Sequence, residues 1–572
     1  MTIGFNYLDV YPDKAQYRPG EKGNIIIEVE TNVRMALTVQ AQFKDLVHVL
    51  FKSEEEIVLT EGNRKTVMIP FKTGEELWQC VGVDINFYAH DELITTKSTA
   101  YDSADHWRRA PRYGFLSDFS EEETADTRDV ASLNKFHINI VQFYDWMYRH
   151  DELVPPSSHF IDPMGRKLSY DVITEKRLAV QKHGMAAMAY GAVYASLKDY
   201  YEENKELALY KRDGKPYNLI DRFFIMDISP DSAWTRKIIA ELVKVIQEGF
   251  DGIHLDQYGF PKKAIRYKQH KSEVVDLAPC YRQLIDQLKR NILPLNSEAG
   301  LIFNNVSNYP VEVTAKADQE AIYIEVWPPV QHYYELKQLI DRARELSGKQ
   351  VILSAYLPAF RELPSDRINE AENGALVTMA TIFANGGYHL LLGEENSVLT
   401  AAYYPDYVQL RDGFISEIRS YYDFIVRYGK LLYRFNLKDV SMTYTGGVNT
   451  EVQFEAENKV APNGDVNSIW SLVKNSDQYM VIHLINLVGL EDDIWETGKK
   501  KRPTEQNNVT CTVVMEYEIE NLFFASPDQN EGRSIGLTFE VVENEQGKAI
   551  RFTIPKLEVW DMVIIQWRSG SN

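Results

Sequence analysis

The chain predicts a multidomain protein: a central (β/α)8 TIM barrel flanked by an N-terminal immunoglobulin-like β-sandwich and a C-terminal antiparallel β-sandwich. Three observations predict it. Residues 1–105 alternate apolar and polar positions, are punctuated by Pro19-Gly20, Gly62-Asn63 and Thr73-Gly74, and hold no convincing helix. Residues 106–435 alternate short apolar runs with helical segments of roughly 10–20 residues, the mark of βα units around a parallel sheet. Residues 436–572 return to strands separated by polar loops rich in Pro, Gly and Asn. A length of 572 residues leaves room for roughly three to four domains.

In the first domain the strands are expected at Ile25–Glu30, Met35–Gln42, Val67–Phe71 and Cys80–Tyr88. In the barrel they are expected at Tyr113–Phe119, His137–Phe143, Gly184–Tyr190, Phe250–Asp256, Leu301–Val306, Ile322–Val326, Val351–Ala355 and Tyr388–Leu392. Helices between them show as apolar stripes. Asp171–Lys182 stops at Gly184, Ile238 to Ile246 forms one face, and Tyr334 to Leu346 forms another, stopped by Gly348. Phe223–Ser229 also reads as a strand; it is placed in the long connection before strand four, and in the barrel it would shift the count by one. The connection Tyr190–Phe250 reads as largely helical, and a long helical region spans Tyr407–Leu432. The last domain has strands at Met480–Asn486, Val509–Glu518, Ile535–Glu540 and Val559–Trp567.

Composition narrows the function. A formal charge of −21 argues against a nucleic-acid partner. Aromatic residues are plentiful; most belong to cores, and some suit sugar platforms. Cys80, Cys280 and Cys511 fall in three different predicted domains, which excludes a disulfide framework and a CxxC metal site. No apolar run is long enough to span a membrane. The start, MTIGFNYLDVYPDK, lacks the basic head and apolar core of a signal peptide, so a cytoplasmic protein or one with its leader removed is expected. A monomer without cofactor or metal is expected; His150, His332 and His389 have no metal-ligand spacing.

In a barrel, chemistry belongs at the C-terminal strand ends. Five acids stand there: Asp118, Asp145, Asp256, Glu325 and Glu394. In GFDGIHLDQYG (Gly249–Gly259), alternation puts Asp256 on the same face as His254; in AIYIEVWPP (Ala321–Pro329), Glu325 shares its face with Tyr323. Acetal cleavage needs a proton for the leaving oxygen and stabilisation of an oxocarbenium-like centre, which two carboxylates in different settings supply. Trp327 and two prolines beside Glu325 suit an acid/base of raised pKa; His254, Gln257 and Tyr258 would keep Asp256 ionised. Either acid could instead serve only a salt bridge or a helix cap. Tyr144, Asp145 and Trp146 are expected as a sugar-binding wall after strand two, Tyr190 after strand three, Asn304 after strand five and Tyr356 after strand seven. Asp118 and Glu394 complete the expected substrate contacts.

GFDGIHLDQYG, AIYIEVW, VQFYDWMYRHD and MAYGAVYA together resemble glycoside hydrolase family 66, the endo-dextranases and cycloisomaltooligosaccharide glucanotransferases. The resemblance covers most of the chain and implies the same three-domain order, a retaining mechanism on α-1,6-glucan (dextran, isomaltooligosaccharides), Asp256 as nucleophile and Glu325 as acid/base. It also implies secretion. Gly191 stands where the family carries Asn, which implies one sugar contact fewer. The cyclising members carry a carbohydrate-binding module inside the barrel; no connection here has room for it, which favours hydrolysis over cyclisation. A transglycosylase using the same pair and a non-catalytic glucan-binding protein are the rivals.

Overall fold

Local sequence makes the strands where periodicity marks them. In Lys22–Thr31 every second residue is buried, the pattern of a sheet with one wet face. In Ala321–Glu325 and Val351–Ser354 every residue is buried, as in a parallel strand covered on both sides. The protein, as a computed structural model, is described over residues 5–269 and 271–568. The first four residues of the MTIGFNYLDVYPDK segment lie outside them.

Phe5–Pro12, Lys22–Thr31 and Lys65–Lys72 form one N-terminal sheet, and His48–Leu59, Met35–Asp45, Trp78–Ala89 and Glu92–Ala104 form the second. Between them lies a separate core containing Ile25, Ile27, Val39, Phe43, Val83 and Phe87. Three of these strands escape the sequence reading. His48–Leu59, for example, carries the run KSEEE, whose charges mask its alternation.

The central sheet is parallel through eight strands, with Ser397–Val398 and Val408–Gln409 added antiparallel beyond them. Tyr113–Leu116, Ile140–Phe143, Ala186–Ala192, Gly252–Asp256, Gly300–Val306, Ala321–Glu325, Val351–Ser354 and Gly387–His389 pair in sequence order. The eighth strand resumes at Leu392–Gly393, and Gly393 pairs in parallel with Phe115 of the first, so the sheet returns to its start. That closure needs glycine: a Cβ at 393 would lie 2.2 Å from the Phe115 ring. Each expected strand is present, shifted by a few residues at its ends.

The helices Tyr170–Lys182, Ala233–Gln247 and Tyr333–Ser347 lie where the apolar stripes place them. Ser169 and Ser232 cap the first two, and Gly348 ends the third with a φ of 63°. The long helical region near residue 407 begins only at Asp412, as the helix Asp412–Arg427 followed by Gly429–Tyr433.

The segment Phe223–Ile225 is a strand outside the central sheet. It pairs antiparallel with Ala195–Ser196 and Asn218–Leu219, so the count of eight stands. The connection from 190 to 250 is therefore not largely helical: it holds this small sheet, the short helix Lys198–Glu203 and Ala233–Gln247. An unexpected hairpin, Lys263–Lys268 with Lys271–Asp276, follows strand four. Its strands, KAIRYK and KSEVVD, are rich in charge, which hides it among loop residues.

Two sheets, antiparallel except where Val460–Ala461 pairs in parallel with Ile469–Asn475, make up the C-terminal region around a core of Ile469, Ile482, Val509, Ile554 and Val563, among others. The molecule is multidomain and sheet-rich. Buried ion pairs tie the N-terminal sheets to the central part: Arg112 to Asp102 at 2.7 Å, and Arg427 to Asp84 at 2.6 Å. Among the described residues no helix is long and apolar enough to cross a membrane.

Candidate active site

The fourth strand ends in Asp256 and the sixth in Glu325, and the strands between them set their distance. Asn304, on strand five, has an amide nitrogen with two hydrogens to give. It donates to Asp256 Oδ1 at 2.7 Å and to Glu325 Oε2 at 3.0 Å. Two oxygens on one nitrogen at these lengths lie no more than about 6 Å apart. Tyr190 Oη donates to Asp256 Oδ2 at 2.6 Å, and Tyr356 Oη to Glu325 Oε1 at 2.8 Å. Each acid thus accepts from one tyrosine of its own and from the shared Asn304.

Burial pushes the Asp256 carboxyl up to about 7; the Glu325 charge adds to the rise, and the Tyr190 and Asn304 donors oppose it. Burial also raises Glu325, against the donors Asn304, Tyr356 and Trp327. Two carboxyls this close share one proton across neutral pH rather than ionise together. Of the neighbours expected to keep Asp256 ionised, His254, Gln257 and Tyr258, only Gln257 lowers the Asp256 pKa, through its backbone N–H. His254 lies beneath Asp256, accepting or donating with Tyr113 Oη at 3.1 Å, and burial lowers its pKa to about 3, so it is a neutral floor residue. Gln257 spends its amide on the carbonyls of Asn304 and Tyr309 and on Gly259 N–H.

Both acids open into a cleft of about 630 Å³. Tyr144, Asp145, Tyr190, His254, Gln257, Tyr258, Asn304, Trp327 and Tyr356 line it, as expected for cleft residues. Asp145 is buried and its carboxyl is pushed up to about 7 by that burial, against the pull of Arg166. Trp327 is 37% exposed and meets Tyr356 edge-on at 5.8 Å, an open aromatic face beside Glu325. Among the described residues, Asn304 Oδ1, Gln142 Oε1, His150 Nδ1 and Tyr258 Oη are buried without a hydrogen-bond partner, and all four residues line the cleft. Unspent polar atoms at this density suit a ligand with many hydroxyls.

Three expected contacts are not in the cleft. Trp146 is fully buried; its indole N–H donates to Tyr190 O at 3.0 Å and its ring packs on Phe250, so it braces the wall from behind. Asp118 is exposed and accepts from Ser120 N–H. Glu394 is buried and accepts from Ser117 N–H, Ser117 Oγ and Asp118 N–H, clasping the end of the first strand. Glu394→Ala should therefore cost about 1–3 kcal/mol of stability, read by chemical denaturation, with substrate KM unchanged; a large KM rise at intact stability would return Glu394 to the cleft. Gly191 needs a correction too. A Cβ there would meet Leu242 at 2.9 Å, on the helix side, so glycine at this position removes no cleft contact.

The sequence reading missed Gln142, His150, Ile220, Phe223, Tyr403 and Tyr404. Tyr404 stacks on Tyr144 at 4.2 Å. The adjacent pair Tyr403-Tyr404 just after strand eight was the available signal; His150 carried none without the fold. Among the described residues no cluster of three metal-ligating side chains occurs.

Comparison with known proteins finds the family model for glycosyl hydrolase family 66 matching residues 12–564. A cycloisomaltooligosaccharide glucanotransferase of Niallia circulans is 24% identical, over 97% of this chain and 72% of that protein. A dextranase of Streptococcus salivarius is 22% identical, over 93% of this chain and 73% of that one. A Paenibacillus cycloisomaltooligosaccharide glucanotransferase solved with cycloisomaltoheptaose superposes with a TM-score of 0.89, at 22% identity, covering 97% of this chain and 99% of that one.

Proposed function

The chain belongs to glycosyl hydrolase family 66 and is a glycoside hydrolase, and we propose that it cleaves the α-1,6 linkages of dextran and isomaltooligosaccharides internally, with retention. We read residues 106–435 as a (β/α)8 barrel between an immunoglobulin-like domain, 1–105, and an antiparallel β domain, 436–572. The observation that carries the reaction is the shared Asn304 amide, which keeps Asp256 and Glu325 within about 6 Å of each other. That is short of the about 6.5–9.5 Å an inverting enzyme needs to fit a water.

In this reading Glu325 starts protonated and gives its proton to the glycosidic oxygen as Asp256 Oδ attacks the anomeric carbon, breaking the C–O bond and forming a β-glycosyl ester. Glu325, now a carboxylate, takes a proton from water; the water oxygen displaces Asp256 and restores the α configuration. Tyr190 and Asn304 hold Asp256 in place and stabilise its charge.

The test is a dextran digest followed by proton NMR and mass spectrometry, with pullulan and starch as controls. Linear isomaltooligosaccharides released first as the α anomer are expected; initial β anomer would overturn retention, and equal cleavage of starch would overturn the linkage. A second reading, cyclising transfer by the same pair, is favoured by the Niallia and Paenibacillus relatives; cyclic products would decide for it. The helices Ala359–Glu362 and Ile368–Ala384 fill the connection between strands seven and eight, where no β module stands, which supports hydrolysis.

The shared proton also sets the pH dependence. Below the lower pKa of the pair Asp256 is protonated and cannot attack; above the upper one the acid is lost, and burial raises both carboxyls, Asp256 to about 7. A bell-shaped kcat/KM with its alkaline limb near neutrality is expected, and a profile flat from pH 5 to 9 would count against the pair (about two pH units either side of 7).

A further inference from the structure

The turn joining Asn218–Leu219 to Phe223–Ile225 is built against the preferences of its residues. Arg222 N–H closes it onto Leu219 O at 3.1 Å, and Asp221 N–H donates to Asn218 Oδ1 at 3.1 Å. Both central residues are left-handed, Ile220 with φ 51° and Asp221 with φ 53°. Such turns favour Asn-Gly or Asp-Gly, and a β-branched residue with positive φ is strained. Core packing does not offset that strain, because Ile220 is 63% exposed. It lines the catalytic cleft instead, together with Pro163 and Met164.

The turn is held firmly. Arg222 Nη1 donates to Pro163 O at 2.7 Å, and buried Phe223 meets His150 edge-on at 4.6 Å. Beyond it lies a second groove, about 680 Å³, lined by Arg149, Lys198, Asp199, Glu202 and Arg222, with Pro163 common to both spaces. Ile220 is thus an apolar crest between the cleft and a groove that Leu197, Pro163 and the stems of charged side chains line. Strain kept at an exposed position on the rim of a ligand cleft points to ligand contact.

We propose that Ile220 determines preference for chain length: a glucan reacting at Asp256 runs across the Ile220 side chain into the second groove, where only long chains reach. The proposal rests on the α-1,6-glucan reading above. Sugar rings present patches of C–H groups that pack on aliphatic side chains, while the charged heads at the edges of the groove can meet the hydroxyls. The flexible α-1,6 linkage lets the chain bend over the crest.

Steady-state kinetics on dextran and on the shortest isomaltooligosaccharide that the wild type turns over test it, with thermal unfolding measured alongside. Ile220→Gly should raise Tm by relieving the turn and raise KM for dextran about five-fold, the worth of part of one buried aliphatic side chain, so that kcat/KM on dextran falls several-fold further than kcat/KM on the short substrate. Ile220→Leu, which keeps the apolar surface, should restore the dextran KM. An unchanged dextran KM in Ile220→Gly, equal losses on both substrates, or a Leu variant that behaves like Gly would overturn the proposal. A wild type inert on every α-1,6-glucan would instead overturn the substrate reading on which it rests.

Discussion

Asp256→Ala should lower kcat on dextran by about four orders of magnitude or more, because it removes the group that forms the covalent bond. The fold should survive. The side chains that donate to Asp256, Tyr190 and Asn304, both face the open cleft. Stability should even increase, in a pH-dependent way. The Asp256 pKa is raised from 3.8 to about 7 on folding. Its favourable contribution is therefore complete below 3.8 and is lost as pH rises towards 7, where the folded protein must hold a charge beside Glu325. The variant should exceed the wild type in Tm by about 2–4 °C more at pH 8 than at pH 4. Retained dextran cleavage in a folded Asp256→Ala protein would falsify the assignment of the nucleophile. A Tm difference independent of pH would refute the shared-proton account and leave the nucleophile untouched.

Glu325→Ala should slow dextran cleavage by about 10²–10⁴-fold, the range set by general acid catalysis. A substrate with a leaving group that needs no proton should recover the first step and leave hydrolysis of the glycosyl ester limiting. Added azide then separates the roles. In Glu325→Ala it should attack the β-glycosyl ester and release the α-azide; in Asp256→Ala it should attack the α-linked substrate and release the β-azide. The reverse pairing of products would exchange the two roles. The alkaline limb of the pH profile should disappear in Glu325→Ala with the activated substrate, since the shared proton is gone.

Much of this architecture was legible because burial on both faces leaves parallel strands as unbroken apolar runs. AIYIE and VILS could be little else. Helix ends were legible through their caps, Ser169, Ser232 and Gly348. Strands rich in charge, such as His48–Leu59 and the hairpin after strand four, were not, since one exposed face hides the alternation on the other. In the site, strand-end position with side-chain parity pointed to Asp256 and Glu325, and strand-end position alone to Tyr190, Asn304 and Tyr356. The same reasoning failed for Glu394 and Asp118. A carboxylate that accepts backbone N–H groups and one that faces a cleft look alike in a sequence; only packing separates them. Trp146 failed for a related reason, as its ring turns towards Phe250 rather than the cleft.

Sequence by itself determined which strands are buried, which acids end them and which family the chain resembles, because these depend on short-range periodicity and local motifs. Tertiary structure decided what those acids do to one another. It placed one amide of Asn304 between Asp256 and Glu325, raised both carboxyls by burying them together, and turned Glu394 and Trp146 into supports. It also set Ile220 on a strained turn at the rim of the cleft. Each of these results from residues far apart in the chain meeting at one end of a closed sheet, a proximity that no local pattern encodes.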